Sequence, residues 1–308
     1  MKRRSNLALP DKVRVAVVQN KPRKGDFQAN LQSLREAFAQ IASEDSVDLI
    51  VLPEAALTGY FLEGAVYDLA VSASRLADEL AQAWQSTGSD NKVDIACGFY
   101  ETDEGTFYNS ALYLSVEPDL RRILHVHRKM FLPTYGVFDE ERFLSRGRKL
   151  EVFETKFGHM ALLVCEDAWH AIMPTICALK GARFIIIPSA SPGRGISGKG
   201  ELESVSHWRS LLINHAVEHG LYIIYASLTG FEGGKGMTGS SSIISPRGEI
   251  IVQAPALGSC ILRATLQVGE IDIARANLPL LGDLRAVLPD LLLDDGLPLP
   301  RGVQSHSP

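Results

Sequence analysis

The chain has 308 residues and a formal net charge of −5 with both signs interspersed, which points away from a nucleic-acid surface. No stretch approaches the ~20 apolar residues of a membrane-spanning helix. The basic start Met1-Lys-Arg-Arg4 is followed by no apolar segment of a signal peptide, and the four cysteines (Cys97, Cys165, Cys177, Cys260) lack metal-ligand spacing. A soluble protein of a reducing, cytoplasmic compartment is expected, without nucleic-acid or membrane partners.

Residues 13–18 read as an apolar strand. Phe27, Leu31, Leu34, Phe38 and Ile41 follow at steps of four, three, four and three, one face of an amphipathic helix. Residues 47–52 form the next strand, ending at Pro53-Glu54. Strand, helix, strand implies a parallel, buried pair. Val66, Leu69, Ala73, Leu76, Leu80 and Trp84 predict a second helix. Residues 93–100 and 108–115 predict a hairpin across a turn-rich link, which makes the sheet mixed. Residues 123–131 continue as a strand with charged members, and 133–147 are irregular.

Residues 160–164 read as a short buried strand with Cys165 at its carboxyl end, followed by a helix over 168–180. Residues 183–187 are a further strand, closed by Pro188-Ser-Ala-Ser-Pro192. A Gly-rich loop spans 193–200; it lacks the Gly-Lys-Ser/Thr ending of a P-loop and reads as a pocket rim. A helix over 201–219, a strand over 221–227, and strands 238–244 and 249–253 around the turn Ser245-Pro-Arg-Gly248 come next. Residues 260–267 are the last strand. Residues 271–293 keep an apolar rhythm, expected to wrap the domain or pack on a neighbouring subunit. One domain over 13–290 is predicted, a four-layer α/β sandwich with helices outside and two sheets inside, between tails 1–12 and 291–308.

Three positions at strand ends carry chemistry. Glu54 reads as a carboxylate at a pocket edge or in a surface ion pair. Lys129, between apolar residues, is either a paired buried lysine or a solvated one on an edge strand. Cys165 is a nucleophile candidate on a strand-to-helix turn, where N-terminal amides favour a thiolate, or else a structural thiol. No histidine, among them His125, His127 and His159, sits in an obvious partner position. A carboxylate in a low-dielectric pocket can act as the base that a thiol needs, and an ammonium can hold a developing oxyanion. Asp167 reads as a cap of the following helix, and Cys97, Cys177 and Cys260 as buried structural thiols.

Leu52-Pro53-Glu54 with Thr58-Gly59-Tyr60, His127-Arg128-Lys129 with Leu132-Pro133, and Val164-Cys165-Glu166-Asp167 occur in that order. With these the chain resembles the nitrilase superfamily of carbon–nitrogen hydrolases. Tyr108-Asn-Ser-Ala111 and Thr238-Gly-Ser-Ser241 look like further family segments. The resemblance implies an αββα sandwich that pairs into dimers or higher homo-oligomers and needs no metal or organic cofactor. It makes Glu54 the general base, Lys129 the oxyanion stabiliser and Cys165 the nucleophile. A supporting glutamate is implied at Glu140, with Glu141 as its competitor.

Tyr135-Gly-Val-Phe-Asp-Glu140, Cys-Glu-Asp and Ser-Ala-Ser-Pro look most like the glutaminase-type amidase domain of glutamine-dependent NAD synthetases. That likeness implies Tyr60 and Tyr135 in the pocket lining, Ser191 as a substrate contact and the Glu166 backbone N–H as a second oxyanion donor. No Ser-Gly-Gly-x-Asp-Ser segment occurs, so a stand-alone amidase, or one working with a separate partner, is expected. Glu166 stands where nitrile hydrolysers carry Trp, which favours amides. A nitrilase, an N-acyltransferase and a catalytically silent binding subunit are the alternatives.

Overall fold

The computed structural model describes residues 9–44, 46–195 and 202–293. β1 (Lys12–Gln19) is buried on both faces: Val13, Val15 and Val17 point one way, Ala16 and Val18 the other, which is why it reads as an unbroken apolar run. α1 (Phe27–Ser43) starts at Asp26, whose carboxylate accepts the Ala29 N–H at 3.0 Å. Its apolar face, Leu31, Leu34, Phe38 and Ile41, packs against the Ala16 and Val18 side of the sheet. β2 (Leu49–Val51) returns parallel to β1.

The single helix predicted through residues 66–84 is two, α2 (Val66–Leu69) and α3 (Ala73–Gln85). Between them the Val71 N–H donates to the Tyr100 carbonyl at 3.1 Å, and Ser72 caps α3 by accepting the Arg75 N–H at 3.2 Å. A continuous apolar rhythm hid a capping serine. β3 (Val93–Asp103) and β4 (Thr106–Glu117) form a hairpin longer than predicted. Its two-residue turn, Glu104–Gly105, has φ of 48° and 79°, as the twist of paired strands demands. β5 (Leu120–Arg128) pairs with β4 and stops one residue short of Lys129.

β6 (Phe153–Thr155) and β7 (Gly158–Leu162) open the second half. The helix predicted over 168–180 is a 3-10 turn, Cys165–Trp169, followed by α4 (Ile172–Leu179). β8 (Phe184–Ser189), α5 (Glu203–His219) and β9 (Tyr222–Ser227) follow as expected. Residues 196–200 of the predicted rim loop lie outside the described residues. An unforeseen hairpin, β10 (Thr229–Glu232) and β11 (Lys235–Thr238), turns on Gly233–Gly234, both at positive φ. β12 (Ser242–Ile244) and β13 (Ile250–Gln253) flank the Ser245–Gly248 turn, and β14 (Cys260–Gln267) returns to pair antiparallel with β1. α6 (Glu270–Asn277) and α7 (Leu280–Leu292) bury Ile271, Ala274 and Leu281. The segment therefore wraps its own domain, α7 lying along α4 and α5.

Two six-stranded sheets result, in the orders β14-β1-β2-β3-β4-β5 and β13-β12-β9-β8-β7-β6. Each has a parallel centre and antiparallel flanks. Val15, Val17 and Val51 of the first sheet and Met160, Phe184, Ile186 and Ile224 of the second form the core between them. α1 and α3 cover the outside of the first sheet, α4 and α5 that of the second. This is the αββα sandwich. The carboxyl ends of β2 and β5 lie at one edge of the first sheet, because β3 is parallel to β2 and β4 reverses twice between β3 and β5.

Two glycines let the chain pass close behind those ends. A Cβ on Gly98 would lie 2.7 Å from the Pro53 carbonyl oxygen, and one on Gly147 2.8 Å from the Arg128 carbonyl carbon. Gly98→Ala is expected to cost about 1–3 kcal/mol, as overpacking does, measured by denaturant unfolding. An alanine variant as stable as the parent contradicts this reading of Gly98.

Candidate active site

Glu54 follows β2 by way of Leu52-Pro53, and the chain is held there by the sheet: the Gly98 N–H donates to the Pro53 carbonyl at 3.0 Å and the Ala56 N–H to the Gly98 carbonyl at 3.2 Å. Ala55 between them has φ 51°, a left-handed conformation that costs an L residue roughly 1–2 kcal/mol. Lys129 leaves β5 with its N–H on the Asn109 carbonyl at 2.8 Å, while the Gly147 N–H donates to its carbonyl at 2.7 Å. Cys165 opens the 3-10 turn after β7 at φ 44°. Both left-handed residues thus adjoin or carry a candidate group.

Glu54 and Lys129 are each 0% exposed. The Lys129 ammonium donates to Glu54 Oε1 at 3.0 Å and to Glu140 Oε1 at 2.7 Å. Asn109 Nδ2 also donates to Glu54 Oε1, at 2.7 Å, and the Tyr60 hydroxyl donates to Glu140 Oε1. Glu54 Oε2 is buried without a hydrogen-bond partner among the described residues. Burial opposes the Lys129 charge, but Glu140 and Glu54 outweigh it and hold its pKa well above the usual value. Burial lifts the Glu140 carboxyl; Lys129 pulls it back and Glu54 adds to the rise, leaving it at about 7.

Cys165, 7% exposed, is the least buried of the set. Its Sγ accepts from Ser189 Oγ at 3.3 Å. The thiol is pushed well above its ordinary pKa by burial and by Glu54, against Lys129 and Ser189. This corrects the expectation of a helix-stabilised thiolate. The cysteine opens a single 3-10 turn rather than an α-helix, and its burial keeps the thiol neutral.

The structure therefore brings Glu54, Lys129, Glu140 and Tyr60 into one buried cluster coupled electrostatically to Cys165. Glu141 is exposed and outside it. Tyr135 donates to both Glu166 carboxylate oxygens, at 3.0 and 2.9 Å, on the rim beside Cys165. The Arg194 guanidinium lies 5.4 Å from the Tyr135 and Phe138 ring centroids. A cavity of about 300 Å³ lined by Tyr60, Phe61, Tyr100, Phe138 and Glu140 adjoins the cluster. Ser191 is turned away and accepts from the Trp208 indole at 2.9 Å; Ser189 touches the sulfur instead. Asp167 does not cap α4, which Ala171 precedes; it sits inside the 3-10 turn and accepts the Val164 N–H in a capping box there. It binds His127 and backbone amides on both sides of the site. Cys97 and Cys177 are buried, whereas Cys260 is partly exposed at the start of β14. Asn109 and Ser189 went unpredicted, although a polar residue in the middle of an apolar strand was a readable signal at Asn109. Among the described residues no group of His, Cys, Asp or Glu could hold a metal ion, and no helix is long and apolar enough to cross a membrane.

Residues 14–276 match the family model of the carbon-nitrogen hydrolases. The chain belongs to the carbon–nitrogen hydrolase family. This hydrolase is 28% identical over 261 residues to the glutamine-dependent NAD(+) synthetase of Thermotoga maritima, covering 84% of this chain and 43% of that protein. It thus spans less than half the length of the NAD(+) synthetases it matches. It is 28% identical over 259 residues to the 2-oxoglutaramate amidase of Bacillus subtilis, covering 82% of this chain and 92% of that one. Among solved structures, Saccharomyces cerevisiae Nit3, a member of branch 10 of the nitrilase superfamily, aligns with a TM-score of 0.75 at 26% identity, covering 88% and 96% of the two chains.

With its carboxyl raised to about 7, Glu140 is protonated below that pH and ionised above it. Difference infrared titration is expected to reveal a buried protonated carboxyl that disappears with a midpoint near 7 and is absent from Glu140→Gln. A midpoint at the ordinary glutamate value contradicts the assignment.

Proposed function

We propose that this hydrolase cleaves the carbon–nitrogen bond of a small carboxamide to acid and ammonia through a thioester on Cys165. The observation that carries the reading is the fully buried Lys129 held between Glu54 and Glu140 beside a neutral thiol. Such a lysine and a carboxylate with one free oxygen suit acyl transfer at sulfur better than they suit a structural core.

Glu54 Oε2, unpartnered, takes the thiol proton as Cys165 Sγ bonds to the amide carbonyl carbon. The carbonyl π electrons move to oxygen, and Lys129 with the Glu166 backbone N–H holds the oxyanion. When the tetrahedral centre collapses, Glu54 returns the proton to the departing nitrogen and ammonia leaves. Water then gives a proton to Glu54 and attacks the thioester. Collapse releases the acid, and the proton returns to sulfur. Glu140 keeps Lys129 in place, and Tyr60 and Asn109 orient the two carboxylates.

The amidase named among the relatives supports an amide substrate, as does Glu166 in place of the Trp of nitrile hydrolysers. Four unpaired thiols suit a reducing compartment. A homodimer or larger homo-oligomer belongs to the same reading, with exposed Ile273, Leu280, Val287 and Leu291 on α6 and α7 as its candidate contact.

A panel of small amides assayed for ammonia release tests the reaction. Cys165→Ala is expected to abolish turnover and leave the circular dichroism spectrum unchanged. Lys129→Ala is expected to lower kcat by about 10²–10³-fold or more. Intact-mass spectrometry of the parent is expected to trap an acyl adduct on Cys165. An alanine variant that still releases ammonia at the parent rate removes Cys165 as nucleophile.

A further inference from the structure

Asp167 is fully buried, and its carboxylate meets four donors. Oδ1 accepts the Met130 N–H at 2.9 Å and the Phe131 N–H at 3.0 Å. Oδ2 accepts the Val164 N–H at 3.1 Å and lies 2.8 Å from His127 Nε2. The donors belong to the two segments that carry the proposed chemistry. Val164 immediately precedes Cys165; Met130 immediately follows Lys129, and His127 comes two residues before it. The Asp167 N–H donates back to the Val164 carbonyl at 3.0 Å, which closes a reciprocal pair around the left-handed Cys165.

We infer that Asp167, steadied by His127, is a positioning residue that sets the place of the Lys129 ammonium relative to the Cys165 sulfur. The inference rests on the function proposed above. No other described side chain bonds to backbone on both sides of this junction between sheets. A cap would use one acceptor for one or two neighbouring amides, whereas this carboxylate is shared between segments 33–40 residues apart in sequence. An amide could not replace it. With the Asn oxygen kept on Met130 and Phe131, its NH2 would face the Val164 N–H donor to donor. His127 Nδ1 has no hydrogen-bond partner among the described residues, so the one directed contact of the ring is to Asp167.

Alkylation by iodoacetamide tests this without knowledge of the natural substrate. The rate at Cys165 is followed by peptide mass mapping across neutral to alkaline pH, with the partly exposed Cys260 as internal control. Misplacing a reacting group by an ångström costs about 100-fold. Asp167→Asn is expected to slow labelling of Cys165 by about 10- to 100-fold and to move its pH midpoint upward, with Cys260 unaffected. His127→Gln keeps a donor toward Oδ2 and is expected to react near the parent rate, whereas His127→Leu is expected to fall with Asp167→Asn. A folded Asp167→Asn protein with the parent rate and midpoint overturns the inference. If that variant does not fold, equal rates for His127→Leu and His127→Gln overturn it. Lys129→Ala is the separating control. If it too reacts like the parent, the proposed function fails and this inference with it; if it is slow while Asp167→Asn is fast, the inference alone fails.

Discussion

The Lys129 ammonium lies wholly out of water, and the surrounding structure is arranged to make that tolerable. An ion of this size loses several kcal/mol of hydration on burial even after relaxation, and only close, well-directed counter-charges offset it. Glu54 at 3.0 Å and Glu140 at 2.7 Å are those counter-charges. Neither is local in sequence to the other, so the electrostatic requirement ties β2, β5 and the 3-10 turn at Glu140–Arg142 to one point. Removing the lysine would leave two carboxylates facing each other in the interior. Removing either acid would leave the cation under-compensated.

Backbone geometry meets the same requirement. Ala55 and Cys165 adopt left-handed conformations that side chains other than glycine seldom take. Each turns the chain sharply just past the end of a parallel strand, next to Glu54 in one case and at Cys165 itself in the other. Gly98 and Gly147 absorb the matching crowding on neighbouring segments, where a Cβ would strike backbone. The turn at Ala55 is held by Gly98 of β3 and the turn at Cys165 by the buried Asp167.

Much of this was legible in the sequence. Period-two and unbroken apolar runs located the parallel strands, and the rhythm of α1 located its buried face. Glu54, Lys129 and Cys165 stood out because charged or reactive residues interrupt apolar runs at strand ends, whereas Glu140, in an acidic loop, was implied only by the family resemblance. The features that stayed hidden depended on tertiary context. The apolar rhythm from Val66 to Trp84 crosses a break that exists because Val71 bonds to β3. The Gly233–Gly234 turn was a readable hairpin signal that went unread. Ser189 and Ser191 share a strand parity, and only the turn at Pro192, which bridges to Met237, decides that the first meets the sulfur and the second a tryptophan. Asp167 looked like a local cap because its partners Met130 and Phe131 are more than thirty residues away in sequence.

In the proposed mechanism the charge balance lets so buried a site react. At rest the proposed machinery holds one ammonium, the two glutamates that flank it, and a neutral thiol. When the thiol proton passes to Glu54 and sulfur bonds to carbon, a negative charge disappears from the carboxylate and appears on the substrate oxygen. The total does not change; one charge is displaced within reach of the same ammonium. A low-dielectric pocket penalises new charge severely but penalises such a transfer little, because Lys129 faces an anion before and after. A pre-formed thiolate would have added a negative charge next to Glu54, which burial disfavours. The raised thiol pKa is therefore consistent with nucleophilic use of Cys165, provided the base lies close enough for bond formation and proton transfer to occur together.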